Sequence, residues 1–168
     1  MDFLELASKR YSCRKYKNAP VPAECVEKIL EAAKLAPTAH NNQPQKIIAV
    51  SSADGLARIN KCTDCHYNAP LAFIVCYEKS RAWVREHDGK SSGDVDAAIV
   101  TTHMMLEAEN LGLGSTWIMW FYPEAVTAEF ELPDGVVPAA MLFVGYADVD
   151  SSKYHRIRRD VEEYVTYR

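Results

Sequence analysis

Arg10, Ser12 and Arg14 alternate along the chain. In an extended segment such residues point the same way. Two guanidinium forks and a hydroxyl on one side make a clamp for a phosphate. Solvated, scattered charge near a chain end accounts for the same residues. A second group, Asn41-Asn42-Gln43, follows a helix stop. Its amides can read the edge of a heterocycle without carrying charge, and they serve equally well as loop caps. The segment Gly114 to Trp120 begins with small residues and ends with large ones. Its backbone could approach a flat ring closely, or it is simply a core strand.

The cysteines are Cys13, Cys25, Cys62, Cys65 and Cys76. An odd count in a chain that reads as intracellular argues against structural disulfides. Cys62-Thr63-Asp64-Cys65-His66 spells the C-x-x-C-H pattern of c-type haem attachment. That chemistry belongs to export compartments and needs a second axial ligand and an apolar pocket. A zinc site needs two further ligands, and the distant histidines give no recognisable spacing, so no metal is expected. A redox dithiol belongs at a helix start, where the dipole lowers the thiol pKa. This pair follows the periodic run Ala53 to Ile59, nearer a helix end. The favoured reading is cysteines with no shared role, with haem, metal and redox uses as alternatives. There is no G-x-G-x-x-G and no P-loop, and no histidine forms a nucleophile–base pattern. His103, alone on an apolar helix, reads as a satisfied interior or interface residue.

The elements that must position these groups follow from periodicity. Phe3, Leu4, Leu6 and Ala7 predict a short helix with Asp2 as N-cap. A helix is predicted over Ala23 to Leu35, ended by Pro37. Ile47 to Val50 reads as a strand, and Ala53 to Asn60 as a helix begun by Ser51 or Ser52. The unbroken apolar run Leu71 to Tyr77 reads as a buried central strand. Arg81 to Ser92 is charged and peripheral. Ser92 or Asp94 then caps a long helix reaching Leu111, apolar on nearly every face. Such a helix is covered all round, which in this chain predicts a core shared with a second subunit. Gly112 supplies its left-handed cap. Strands are predicted over Ser115 to Trp120 and Ala139 to Tyr146, a short helix over Pro123 to Phe130, and a last turn near Asp160 to Tyr164. Helices alternating with apolar strands indicate a sheet layered with helices.

The 168 residues carry a net charge of −4, with 48% apolar and 25% charged residues. Those are ordinary globular values, far from a disordered chain. A chain of this length buries roughly 70% of its unfolded surface, so one domain over 1–168 is expected. No run approaches the roughly 20 apolar residues needed to span a bilayer. The opening Met1-Asp2-Phe3-Leu4-Glu5 lacks an export pattern, so a cytoplasmic location is expected. The charge is unevenly placed. Lys9, Arg10, Arg14, Lys15 and Lys17 make residues 9–17 +5, residues 153–168 are +2, and the body from 18 to 152 is −9. An acidic body disfavours nucleic acid, yet the two basic ends could form one local anion site.

In this setting the sequence resembles the nitroreductase family of flavin mononucleotide (FMN) oxidoreductases, in its short single-domain form. Arg10-Tyr11-Ser12-Cys13-Arg14-Lys15-Tyr16 resembles the flavin-phosphate loop. Ala36-Pro37-Thr38-Ala39-His40-Asn41-Asn42-Gln43-Pro44 resembles the second loop. Asp96 through Gly112-Leu113-Gly114-Ser115 resembles the central helix and its Gly-rich exit, and Val144-Gly145-Tyr146 with Arg158-Arg159 the last strand and basic tail. The resemblance implies an α+β fold, a mixed, mainly antiparallel sheet flanked by helices, in an intertwined homodimer with FMN at the subunit interface. It implies that Arg10, Tyr11, Ser12 and Arg14 hold the phosphate and ribityl chain, joined by Arg158, or by Arg156 if the tail is shifted. Pro37, Thr38, Ala39 and Asn41 would come from the partner. Asn68 would touch the polar edge of the ring, and the Met119 and Trp120 backbone would lie against it. Trp117, Trp120 and Phe121, with His40, suggest an aromatic-walled substrate pocket, and simple packing at a dimer interface accounts for the same aromatics. The implied activity is reduction, with NADH or NADPH as donor, of a flat electron-poor acceptor (a nitroaromatic, a quinone or a flavin) by a ping-pong mechanism. A non-enzymatic flavin-binding or regulatory protein is the alternative. Two departures stand out. Gln45 follows Gln43-Pro44 where the family often has Trp, and Met119 stands where some members carry an acid.

Overall fold

The computed structural model describes residues 2–168. Its centre is a four-stranded sheet in the order β1-β2-β4-β3, made of β1 (Gln45–Val50), β2 (Leu71–Glu78), β3 (Gly114–Ile118) and β4 (Val136–Gly145). All three named pairings are antiparallel. The parallel component among the described residues is a single bridge, Ser12 to Ser115. There the N-terminal segment runs along the free edge of β3.

Both faces of the sheet are covered, which is why β2 is apolar at nearly every position. Leu71, Phe73, Val75 and Tyr77 pack in one core with Leu142 and Val144, while Ala72, Ile74 and Cys76 pack in the other with Met141 and Phe143. Against the first face lie α2 (Ala23–Leu35) and α4 (Gly93–Asn110). Against the second lie α3 (Ala53–Cys62) and α5 (Pro123–Glu129). The short α1 (Phe3–Lys9) packs on α4. Pro138 sits inside β4 because the register slips there: Val75 faces Ala140 and Cys76 faces Pro138. Such a bulge is where a strand tolerates a residue with no N–H.

The caps follow local chemistry. Asp2 accepts the Glu5 N–H and Ser52 accepts the Gly55 N–H. Gly112, at φ 76°, closes α4 through Gly112 N–H to Glu109 O and Leu113 N–H to Ala108 O, a Schellman arrangement. β3 stops at Ile118, two residues before the predicted end, and β4 starts at Val136, three before the predicted start. The last turn is a 3-10 turn over Val161–Glu163. The central helix differs from its sequence reading within one chain. Asp96, Ala97, Val100, Met104 and Ala108 face inward and are buried, whereas Val95 is 52% exposed. Val95, Ala98, Ile99, Thr102 and His103 line an outward groove. No described helix is long and apolar enough to cross a membrane.

Candidate functional site

The segment after α1 is fixed by β3. Cys13 N–H donates to Ser115 O at 2.9 Å, and the Thr116 hydroxyl donates to Cys13 O. The buried Tyr16 phenol also donates to Cys13 O, at 2.8 Å; burial pushes it well above its ordinary pKa. Cys13 therefore points inward, leaving Ser12 and Arg14 exposed on the other side. Gly114 permits this approach, since a Cβ there would lie 2.8 Å from the Cys13 Cβ.

The C-terminal tail is stitched to the same segment. Asp148 N–H donates to Lys15 O, and Lys15 pairs with Asp148 at 2.9 Å. Tyr11 donates to Val149 O at 2.6 Å, and His155 Nε2 meets Ser8 O at 2.8 Å. This stitching brings the two basic ends together. Arg10, Tyr11, Ser12, Arg14 and Arg158 line one hollow of about 250 Å³, completed by Ser152, Tyr154 and His155. Arg156 lines the adjoining hollow instead.

None of the Arg10, Arg14 and Arg158 guanidinium groups forms an ion pair within 4.0 Å among the described residues. Arg158 donates to the carbonyls of His155 and Ile157. Burial and the neighbouring Arg158 charge push Arg10 below its ordinary value, with Glu109 opposing. Guanidinium groups that repel one another in a small hollow are the donor set a phosphate dianion satisfies. The residues thus fit the phosphate of FMN.

The second loop lies elsewhere. Ala39 N–H donates to Asp96 Oδ1 at 2.9 Å, and the Ser92 hydroxyl donates to Asp96 Oδ2 at 2.7 Å. Asp96 is only 2% exposed. His40, Asn41 and Gln43 all have φ near 50°, an uncommon state for residues other than glycine. Gln43 N–H donates to Thr38 Oγ1, and His40 stacks on Trp83 at 5.2 Å. The loop therefore sits at the first turn of α4, while Arg10 lies near Glu109 in the last turn. Asp96 and Glu109 stand thirteen positions apart along the helix, about 20 Å. One chain does not bring Pro37, Thr38, Ala39 and Asn41 to the arginine hollow.

The aromatic candidates are also apart. Trp117 packs on the α4 face of the sheet and Phe121 on the opposite face. His40 belongs with Trp83, and Trp120 is 71% exposed. Trp117 Nε1 and Ser115 Oγ are buried without a hydrogen-bond partner. Asn68, at φ 52°, lines a different hollow with Tyr16, His66 and Phe143. Met119 and Trp120 form an exposed loop after β3 instead of its end.

Cys62 is the last residue of α3 and is buried; burial pushes its thiol up, and Sγ contacts Arg58 O. The other thiols are free as well. His66 Nδ1 accepts the Asn68 N–H. No group of three or more potential metal ligands gathers among the described residues. His103 Nδ1 lies 3.0 Å from Ile99 O, a satisfied residue beside the outward groove. The reading of residues one by one missed Asp96. Its signal was an acid on the mainly apolar inner face of a helix. Ser152, Tyr154 and His155 gave no periodic signal at all.

Comparison with known proteins places this geometry. The profile of the Nitroreductase family matches residues 7–72 and 60–146. A nitroreductase family protein from Clostridium difficile 630 is 42% identical, with a TM-score of 0.95, covering 99% of this chain and 98% of that one. An FMN-dependent nitroreductase from Clostridium difficile R20291 is 26% identical, with a TM-score of 0.78, covering 94% and 99%. An FMN reductase (NAD(P)H) from Bacillus subtilis is 29% identical over 175 residues, covering 93% of this chain and 70% of the relative. With this profile match and this likeness of fold, the chain belongs to the nitroreductase family.

Proposed function

We propose that this protein is an FMN-dependent oxidoreductase that passes reducing equivalents from NADH or NADPH to a flat, electron-poor acceptor such as a nitroaromatic, a quinone or a flavin. The observation that carries the proposal is the convergence of Arg10, Arg14 and Arg158 on one hollow without a carboxylate partner. Arg10, Arg14 and Arg158 would hold the phosphate by charge-assisted bonds, and Tyr11 and Ser12 would complete the cradle. Within the chain, the Met119 and Trp120 N–H groups have no partner among the described residues, so they are free to meet the ring. One relative named an FMN-dependent nitroreductase and another named an FMN reductase (NAD(P)H) support FMN as the flavin.

We further propose a homodimer of single-domain chains spanning 1–168. The outward groove on α4, lined by Val95, Ala98, Ile99, Thr102 and His103, supports a covering partner. Two copies packed antiparallel across α4 would place Pro37, Thr38, Ala39 and Asn41 of one beside the arginine hollow of the other. Of the aromatic candidates, the same packing would leave His40 and the exposed Trp120 to wall a substrate pocket, since Trp117 and Phe121 lie on opposite faces of the sheet. Bound flavin supplies the redox chemistry, and the protein supplies binding, orientation and electrostatics. Donor and acceptor would take turns in one pocket, giving ping-pong kinetics.

The test is the visible spectrum of the purified protein, then anaerobic addition of NADH and NADPH. Flavin bands that bleach with either donor support the proposal. Flavin bands that bleach with neither point to a binding or regulatory protein, and a sharp Soret band to haem at Cys62 and Cys65.

A further inference from the structure

The loop that carries Cys62 and Cys65 has a use that does not involve its thiols. Thr63 is 1% exposed. Its hydroxyl donates to Trp120 O at 2.5 Å and accepts the Cys65 N–H at 3.0 Å. Three more bonds tie the facing segment. Tyr122 N–H donates to Cys62 O at 2.8 Å, Phe121 N–H to Met119 O at 3.1 Å, and the Tyr122 phenol to Asp64 Oδ2 at 3.2 Å. Trp120 and Met119 themselves stand 71% and 69% exposed. The exposed pair Met119 and Trp120, between Ile118 and Phe121 packed on the core, is thus held at the Trp120 carbonyl by a buried hydroxyl beneath it. Such a hydroxyl uses both its donor and its acceptor capacity here.

We propose that Thr63 is a positioning residue for the flavin site. It holds the Trp120 carbonyl, and thereby presents the free Met119 and Trp120 N–H groups at a set angle to the ring of the bound flavin. This rests on the proposed FMN reading. On that reading, backbone donors aimed at the ring favour one redox state over the other only if they are held in advance. Thr63 supplies the hold from a residue that touches no ligand.

The experiment uses full-length protein with Thr63→Val, which removes donor and acceptor, and Thr63→Ser, which keeps both. In hydrogen exchange without added FMN, Thr63→Val raises exchange at the Phe121 and Tyr122 amides about tenfold, and Thr63→Ser stays near wild type. In spectroelectrochemistry with FMN bound, Thr63→Val changes the ratio of affinities for oxidised and reduced flavin about tenfold, about 30 mV for a two-electron couple, and Thr63→Ser restores it. Unchanged exchange in Thr63→Val overturns the strut, whether or not flavin binds. Altered exchange with an unchanged potential overturns the link to the flavin. Equal shifts in both variants, one lacking the hydroxyl and the other the methyl, show that packing at residue 63 matters in place of the hydroxyl bonds, and also overturn it. Wild type that binds no FMN refutes the functional reading and, with it, the positioning role; the exchange result then stands for the strut alone.

Discussion

Arg10 shows how a single side chain takes its role from its neighbours. Alone it is a surface charge; beside Arg158, half-buried, it becomes a cation that lacks an anion. Cys76 shows the converse, a reactive type silenced by place. It is fully buried in β2, and burial pushes its thiol up to about 12 from an ordinary 9.0. The folded state therefore holds this proton more tightly than the unfolded chain does. The contribution is complete below pH 9 and is lost as pH rises from 9 toward 12. Urea unfolding between pH 9 and 11 should fall more steeply for wild type than for Cys76→Ala, by up to about 1.4 kcal/mol per pH unit. Parallel curves would show that Cys76 does not titrate on unfolding.

At the scale of elements, most of the fold was legible because apolar period and caps agree. Helix α2 runs over the predicted residues, Ser52 caps α3, and Gly112 ends α4 as expected. The strand ends were less legible. β3 stops at Ile118 because the chain turns away to the Cys62–Asp64 loop, a tertiary contact invisible to local pattern. The alternation of Arg10, Ser12 and Arg14 was readable. What makes it rigid, the parallel bridge to Ser115, was not, since it joins residues about a hundred positions apart. That bridge yields a prediction. Gly114→Ala should push residues 11–13 off β3, cost about 1–3 kcal/mol of stability, and weaken FMN retention. The added Cβ meets the Cys13 Cβ, so Cys13→Gly in the same chain should restore part of both losses. Thermal melts and flavin fluorescence check it, and a Gly114→Ala protein with wild-type stability would refute the close approach.

At the scale of the whole molecule, the proposed dimer would join what one chain leaves apart. Its second loop and its arginine hollow lie at opposite ends of α4, about 20 Å apart along the axis, and its α4 carries Val95 and Ile99 on an outward groove. The residue pattern, a helix apolar on nearly every face, and the resemblance both predict a second subunit. Ile99→Glu should bury a charge in the proposed interface, yield monomers by sedimentation equilibrium, and weaken FMN binding although no arginine is touched. A dimer that persists with full FMN affinity would place the interface elsewhere. The basic ends of the sequence supply Arg10, Arg14 and Arg158 to one hollow of a chain whose body from 18 to 152 is −9. The most direct test is an FMN titration followed by flavin fluorescence on wild type, Arg10→Ala, Arg14→Ala, Arg158→Ala and Arg156→Ala. The phosphate clamp predicts about 10- to 100-fold weaker binding in the first three variants, the loss of a charge-assisted contact, and little change in Arg156→Ala. Wild-type affinity in Arg10→Ala, Arg14→Ala and Arg158→Ala would contradict it.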